Sequence, residues 1–594
     1  MPAVEPSAGP VHGASPIEES LAGMMSRLDV ILAADSLTDR TLVELMAVYN
    51  NVAYVFLYLE AVDDDENFTR LLPWRRAFYQ DQDLTARILR RLRELRCADP
   101  GLDAVREEYL AHLTAGERRD PAEDARLDEL LDEAKAVLAR VQHTRWEILR
   151  RVGVRDTAAD PGADPGAVYY TVLGSLESTA TRDKLARVWA AARDAQVPAL
   201  LAALDAMVTV RRRRSARAGR PNAAALTLAR CRIPEADIGA FVTGCLETAL
   251  AAHAEVESEI TAVTGAASRP MDHFGFAMRT VFGAERVPTF LVEECLDFLF
   301  AVTRAVFGLT LTRQPSAHPH VVEVAVRDAD DEIGHILFDL WDTGRKTPGP
   351  NHTLGLRDRT DWRGLVQRPV AYVSCRFHAD AEGTGRITFQ NVHGMFHEFG
   401  HALNHVLLRT GVPFRSGLES LPPERLECLS MWFEKWACHP EFGRGGSPAP
   451  RGVVGWGRGG GLKNVVDPGG RQGKGLTPAL DLEVHRSDTG GLEDAFARLD
   501  RRYGLTRHYR LADVAAYFTW PMYVANPGAN FSYLWGAADS AEKFAAFRAL
   551  SLADITGRPG LRRLFAPCFD ADAPAGVPDS SAVFRLYGSS ALTV

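Results

Sequence analysis

The chain has 594 residues, 46% of them apolar and 24% charged, and a formal net charge of −9. That length supports a large core and more than one structural lobe, and the balance is ordinary for a soluble globular protein. The acidic surplus excludes a surface built for nucleic acid, no window approaches about 18 uninterrupted apolar residues, and the eight cysteines form no C-x-x-C pair, which excludes a cysteine-held zinc or a disulfide framework.

Residues 1–19 are rich in Pro, Ala and Glu and lack the basic start and apolar run of a signal peptide. They read as a disordered tail on a cytoplasmic protein. From Ile17 to about Val263 the pattern is almost wholly helical. Leu84, Ile88, Leu89, Leu92 and Leu95 recur at helical spacing, and Leu127 to Val152 and Arg182 to Val210 behave alike. We divide this part into a first lobe, 20–150, and a middle region, 151–317, with Pro and Gly at 160–167 marking a loop. The acidic run from Asp63 to Glu66 reads as a solvated turn. The arginine run from Arg211 to Arg214, with Arg217 and Arg220, reads as a solvated helix end.

The texture changes near His318, where a third region, 318–594, begins. His320 to Val326 alternates like a strand, 328–334 supplies turn residues, and Ile336 to Trp341 returns as a hairpin partner. Val370 to Cys375 adds a strand. Helices resume at Pro422 to Ala437 and again after Leu492. Between them, residues 443–475 hold 13 glycines and read as a mobile loop. Pro468 to Lys474 has the outline of a phosphate loop but lacks its first Gly, its Ser or Thr and a preceding strand.

His397-Glu398-Phe399-Gly400-His401 carries the chemistry. Residues four apart on a helix project from one face, about 6 Å apart along the axis, so two imidazoles can converge on one zinc. Glu398 beside the first His can take a proton from water at such a metal. Val392, Phe396, Phe399, Leu403 and Val406 form an apolar stripe on this helix, and His393, His397, His401 and His405 form another stripe. Two histidines on one face also fit plain polar surface, but apolar residues on both sides argue for burial. A second helix carries Glu427, a suitable third ligand for a zinc that keeps one position open. His393 and His405 sit a turn further out on either side and read as structural, or as supports behind the ligands, rather than as ligands.

Met395-Phe-His-Glu-Phe-Gly-His-Ala-Leu-Asn-His405 resembles the thimet oligopeptidase and oligopeptidase F family of zinc metallopeptidases, as a divergent member. Weaker likenesses run from about residue 40 to 560: the 326–341 hairpin, Pro369 to Cys375, Tyr169-Tyr170, and Phe531-Ser-Tyr-Leu-Trp535. The resemblance implies one zinc per chain held by His397, His401 and Glu427, with Glu398 as general base. It implies a mostly α fold, a two-lobed helical clamshell with a deep central channel and a small β-sheet near the zinc helix. Glu424 stands at the family's acidic position beside the third ligand, where it would orient a ligating His.

Three departures stand out. The stretch around Glu427 has changed, and the glycine-rich loop replaces helical sequence. In the C-terminal segment only Tyr533 falls on a family tyrosine; Trp520 stands near the family His, and Asn526 and Asn530 near its other tyrosines. Tyr533, with Tyr523 as a substitute, is therefore the expected donor to the reacting carbonyl. The expected protein is a monomeric, cytoplasmic metallopeptidase for short peptides, with no nucleic-acid or membrane partner. Two alternatives stay open: a member redirected to another zinc-dependent reaction on a small peptide-like metabolite, and a non-catalytic peptide binder. Glu398 argues against the binder, since a structural zinc needs no base.

Overall fold

The computed structural model describes residues 16–587 apart from 63–64, 80, 118–120, 152–168, 170–171, 266–268, 283–288, 317, 319, 345, 347–350, 379–384, 443–475, 520, 571–572 and 574–575. The loop expected at 160–167, the first two residues of the acidic turn and the glycine-rich stretch lie outside the described residues, and Asp65 and Glu66 open the helix Asp65–Tyr79. The first described helix already begins at Pro16 (Pro16–Ala33), before the end of the expected tail. The chain forms two compact units, each assembled from three stretches. One comprises Met1–Arg119, Phe290–Leu421 and Leu552–Ala573, the other Asp120–Thr289, Pro422–Ser551 and Pro574–Val594.

In the first unit, helices Pro16–Ala33, Asp39–Ala61, Gln82–Glu94 and Pro100–Glu117 close on one apolar core. The Asp39–Ala61 helix starts where Thr38 and Thr41 cap each other's backbone N–H groups. By length and composition it is the one described helix able to cross a membrane. Its Leu42, Val43, Leu45, Met46, Val52, Phe56 and Leu59 are packed with Leu21, Leu28, Leu92 and Tyr109, so core burial accounts for its apolar run.

The same unit holds a five-stranded sheet of β1 (Leu309–Gln314), β2 (Val321–Asp328), β3 (Asp331–Trp341), β4 (His352–Arg357) and β5 (Val370–Phe377), in spatial order β1-β2-β3-β5-β4. The expected β2–β3 hairpin and the β5 strand are present. The turn is shorter than expected, because Asp328 pairs with Asp331 and leaves only Ala329 and Asp330, with Ala329 in the left-handed region at φ 52°. β3 and β5 run parallel. Ala371 to Cys375 are all buried, which is why β5 reads as a continuous run rather than an alternation. β1 and β4 were not foreseen, although Leu-Thr-Leu-Thr in β1 alternates as a strand should. Between β3 and β5, buried Asp339 pairs with Lys346 at 2.7 Å and accepts from the Tyr372 hydroxyl at 2.6 Å. Burial, with Asp339 alongside, drives the Tyr372 phenol far above its ordinary range, so it stays protonated and donates to Asp339.

Helix Phe389–Leu407 lies on this sheet against β3, β4 and β5. Thr388 caps it by accepting from the Asn391 N–H at 3.3 Å. Val392, Phe396, Phe399, Leu403 and Val406 are all buried, as the stripe predicts, and Phe399 stacks on Phe338.

The second unit is helical throughout its described length, with Pro121–Arg151, Thr179–Asp194, Val197–Arg217, Glu235–Thr264, Leu476–Arg486, Leu492–Tyr503 and Phe531–Phe544 as its longer helices. The expected 182–210 helix is two helices, broken at Ala195 and Gln196 ahead of Pro198, whose ring cannot sit inside a continuous helix. The arginine run is a solvated helix end only in part: Arg213, Arg217 and Arg220 are exposed, but the start of the run is drawn inward. Arg211 is buried, donates to the Val524 carbonyl at 3.0 Å and meets His485 at 3.2 Å. Arg212 donates to the carbonyls of Val484 and Ser487, and Arg214 and Arg217 pair with Glu123. Their guanidinium forks satisfy helix-end carbonyls and carboxylates that water would otherwise have to serve.

Candidate metal centre

His397 and His401 stand one turn apart on the Phe389–Leu407 helix. Their Nε2 atoms are 3.1 Å apart and their rings meet at 80°. Two imidazoles on one tetrahedral zinc at about 2.0–2.1 Å place their nitrogens about 3.3 Å apart, so the pair fits a shared metal. His401 is buried and His397 half-buried. Glu398 is buried too, and the Thr353 hydroxyl on β4 sits 2.8 Å from its Oε2 and 2.9 Å from its own carbonyl oxygen. Thr353 had no signal beyond the strand alternation around it, and it restrains the carboxylate expected to act as base.

The structural reading of His405 holds. It is fully buried, donates from Nε2 to the Arg357 carbonyl at 2.8 Å and accepts the Leu418 N–H on Nδ1 at 3.0 Å. Burial pushes its pKa down, which keeps the ring neutral and able to do both. Gly355 of β4 passes so close to this ring that a Cβ there would lie 2.5 Å from His405 Cε1. His405 thereby pins the metal helix to the strand that carries Thr353.

Glu427 does not lie inside a continuous 422–437 helix as expected. The backbone breaks there, at φ −96° and ψ 0°, between short helices Pro423–Leu426 and Cys428–Glu434, and ends in a 3-10 turn at Lys435–Cys438. Its buried carboxylate accepts from the Ser430 hydroxyl at 3.0 Å. Gly536 of helix Phe531–Phe544 fits against this break, where a Cβ would stand 2.6 Å from Glu427 Cβ. Glu424 is fully buried, but its carboxylate is turned to the 231–232 segment, where it accepts the Arg232 N–H at 2.7 Å.

Tyr533 is half-buried on helix Phe531–Phe544. Tyr523 is buried, and burial, with Asp481 nearby, drives its phenol well above the ordinary range. The segment leading to Tyr533 is fastened by fully buried Asp481, which accepts the N–H groups of Gly528 and Asn530 at 3.2 Å and pairs with His485 at 2.8 Å. Burial lowers the pKa of Arg211, behind His485, to about 10, which leaves it charged at neutral pH. Asn530 is buried at the start of the helix, and Trp520 lies outside the described residues.

Residues 172–444, which contain His397, Glu398, His401 and Glu427, match the model of Peptidase family M3. Oligopeptidase A of Salmonella typhimurium is 30% identical over 161 residues, 26% of this chain and 23% of that protein. The mitochondrial intermediate peptidase of Arabidopsis thaliana is 29% identical over 155 residues, 25% and 22% of the two chains. The match thus spans under a quarter of these relatives' length. An oligoendopeptidase F structure aligns with 97% of this chain and 96% of its own at a TM-score of 0.57 and 13% identity, a likeness of fold.

Proposed function

We propose, on the premise that residues 172–444 belong to Peptidase family M3 as a divergent member, that this chain is a zinc-dependent peptidase acting on short peptides. In this reading His397, His401 and Glu427 hold the zinc and Glu398 is the general base. The observation that carries it is the pairing on one buried helix of two imidazole nitrogens at metal-sharing distance with a carboxylate restrained by Thr353. A zinc in such a site polarises a carbonyl and makes water more acidic. Glu398 takes the proton from the attacking water and passes it to the departing amine. The Tyr533 hydroxyl, with Tyr523 as the alternative, donates to the carbonyl oxygen as it gains charge. Glu424 supports the site from a distance, by fixing the short helix that leads into Glu427. A cytoplasmic monomer without nucleic-acid or membrane partners belongs to the same reading.

The rebuilt 518–533 segment favours one second reading, in which the same zinc and base act on a small peptide-like metabolite. Asn526 and Asn530 stand near the positions where the resemblance implies tyrosine donors. Turnover of a quenched peptide library by wild type and by Glu398→Gln tests both. Glu398→Gln is expected to keep its fold and its zinc and to lose nearly all hydrolysis. A variant that turned over peptides within about tenfold of wild type would remove Glu398 as the base. A folded, zinc-loaded wild type that cleaved no peptide would favour the second reading.

A further inference from the structure

The second unit contains a cluster that the proposed reaction does not use. His253 and Glu257 lie one turn apart on helix Glu235–Thr264, and His508 follows the short 3-10 turn Leu505–Arg507. Glu257 Oε1 is 3.3 Å from His253 Nε2, and its Oε2 is 3.0 Å from His508 Nδ1. The two rings meet edge to face with centroids 5.0 Å apart, and Tyr509 closes the other side of His253 at 4.9 Å.

We propose that His253, Glu257 and His508 form a second metal site, for a zinc-like divalent transition ion, which clamps the 505–508 turn to the Glu235–Thr264 helix. The ligand atoms of all three residues lie within 4.8 Å of one another. Neighbouring ligands on a tetrahedral ion at about 2.0–2.2 Å stand about 3.3–3.5 Å apart, so small rotations of the side chains bring three ligands onto one ion and leave the fourth position to water. Two imidazoles and one carboxylate select zinc, copper or nickel over magnesium or calcium. His253 is fully buried, while Glu257 and His508 keep partial exposure, which gives an ion an entry path from solvent. The competing arrangement is a carboxylate that merely bridges two imidazoles without an ion.

The test uses the full chain, stripped of metal by a chelator and titrated with zinc or cobalt(II). Wild type is expected to bind two equivalents, the His397→Ala, His401→Ala double variant one, and the double variant carrying His508→Ala none. Binding by the double variant is expected to raise its thermal midpoint, and His508→Ala to abolish that rise. Glu257→Gln, which keeps the side chain's shape, provides the same comparison if His508→Ala unfolds. If only the His397 assignment fails, wild type and the double variant bind the same single equivalent, and His508→Ala still removes it. Absence of any binding in the double variant, or binding that survives both His508→Ala and Glu257→Gln, overturns the second site.

Discussion

Thr353 shows how a single hydroxyl shapes the candidate site. It has one proton and two acceptors on Glu398, the backbone carbonyl and Oε2, and the bond to Oε2 keeps that side chain turned toward β4. A hydrogen bond to a charged group contributes about 1.5–3 kcal/mol. Thr353→Val keeps the volume and removes the hydroxyl, so kcat on a peptide substrate is expected to fall about tenfold with metal content unchanged. A kcat within about twofold of wild type would mean that Glu398 is positioned by other groups. Tyr533 poses a separate question, because a half-buried tyrosine on a packed helix also fills space. Tyr533→Phe removes only the hydroxyl, so fold and zinc content hold while kcat/KM drops about 10²-fold. An unchanged kcat/KM would place the carbonyl donor elsewhere and favour the redirected chemistry.

At the scale of elements, the proposed metal centre depends on backbones that pass close to one another. Gly536 lets helix Phe531–Phe544 approach the break at Glu427, and a Cβ there would also stand 2.8 Å from the Glu427 carbonyl oxygen. Gly536→Ala should favour the helix by about 1 kcal/mol on propensity alone, so a loss would report on the contact. We expect it to shift Glu427 and weaken metal affinity by about 10–100-fold, read by competition with a chelator. Retained affinity would show that Glu427 is not a ligand or that its loop absorbs the added methyl. The element pattern was legible in part. The metal helix, the β2–β3 hairpin and β5 followed from period and turn residues, because one residue's neighbours in sequence are its neighbours in those elements. The break at Glu427 was not legible, because its partners Ser430 and Gly536 meet it only after folding.

Across the whole molecule, the eight cysteines remain thiols, and none is in a disulfide. Cys245, Cys295, Cys375, Cys428 and Cys568 are buried. Burial raises the Cys295 thiol to about 12 and drives Cys245 and Cys375 up as well. The thiolate is the reactive form, and it is scarce far below the pKa. Iodoacetamide at about pH 8 should therefore spare these cysteines in the native chain and label all eight after denaturation, read by mass spectrometry. Fast native labelling of Cys295 would show that its site opens on the labelling timescale.

The sequence by itself determined the chemistry of the candidate site and the mostly helical class. Residue type fixes what His397, Glu398 and His401 can do, and a spacing of four residues on a helix of about 3.6 residues per turn fixes that the two imidazoles share a face. The tertiary structure alone decided how those groups are held and what the remaining charges do. Thr353 reaches Glu398 from 45 residues away, and Arg211 reaches His485 from 274 residues away. Arg211 and Arg212 read as solvated, like the exposed arginines after them, because local composition records charge but not burial. The second unit is stitched from Asp120–Thr289, Pro422–Ser551 and Pro574–Val594, so His508 meets Glu257 across 251 residues that no local pattern links. Chain connectivity sets which residues are adjacent in sequence, whereas burial and the need to satisfy buried polar groups set which ones meet.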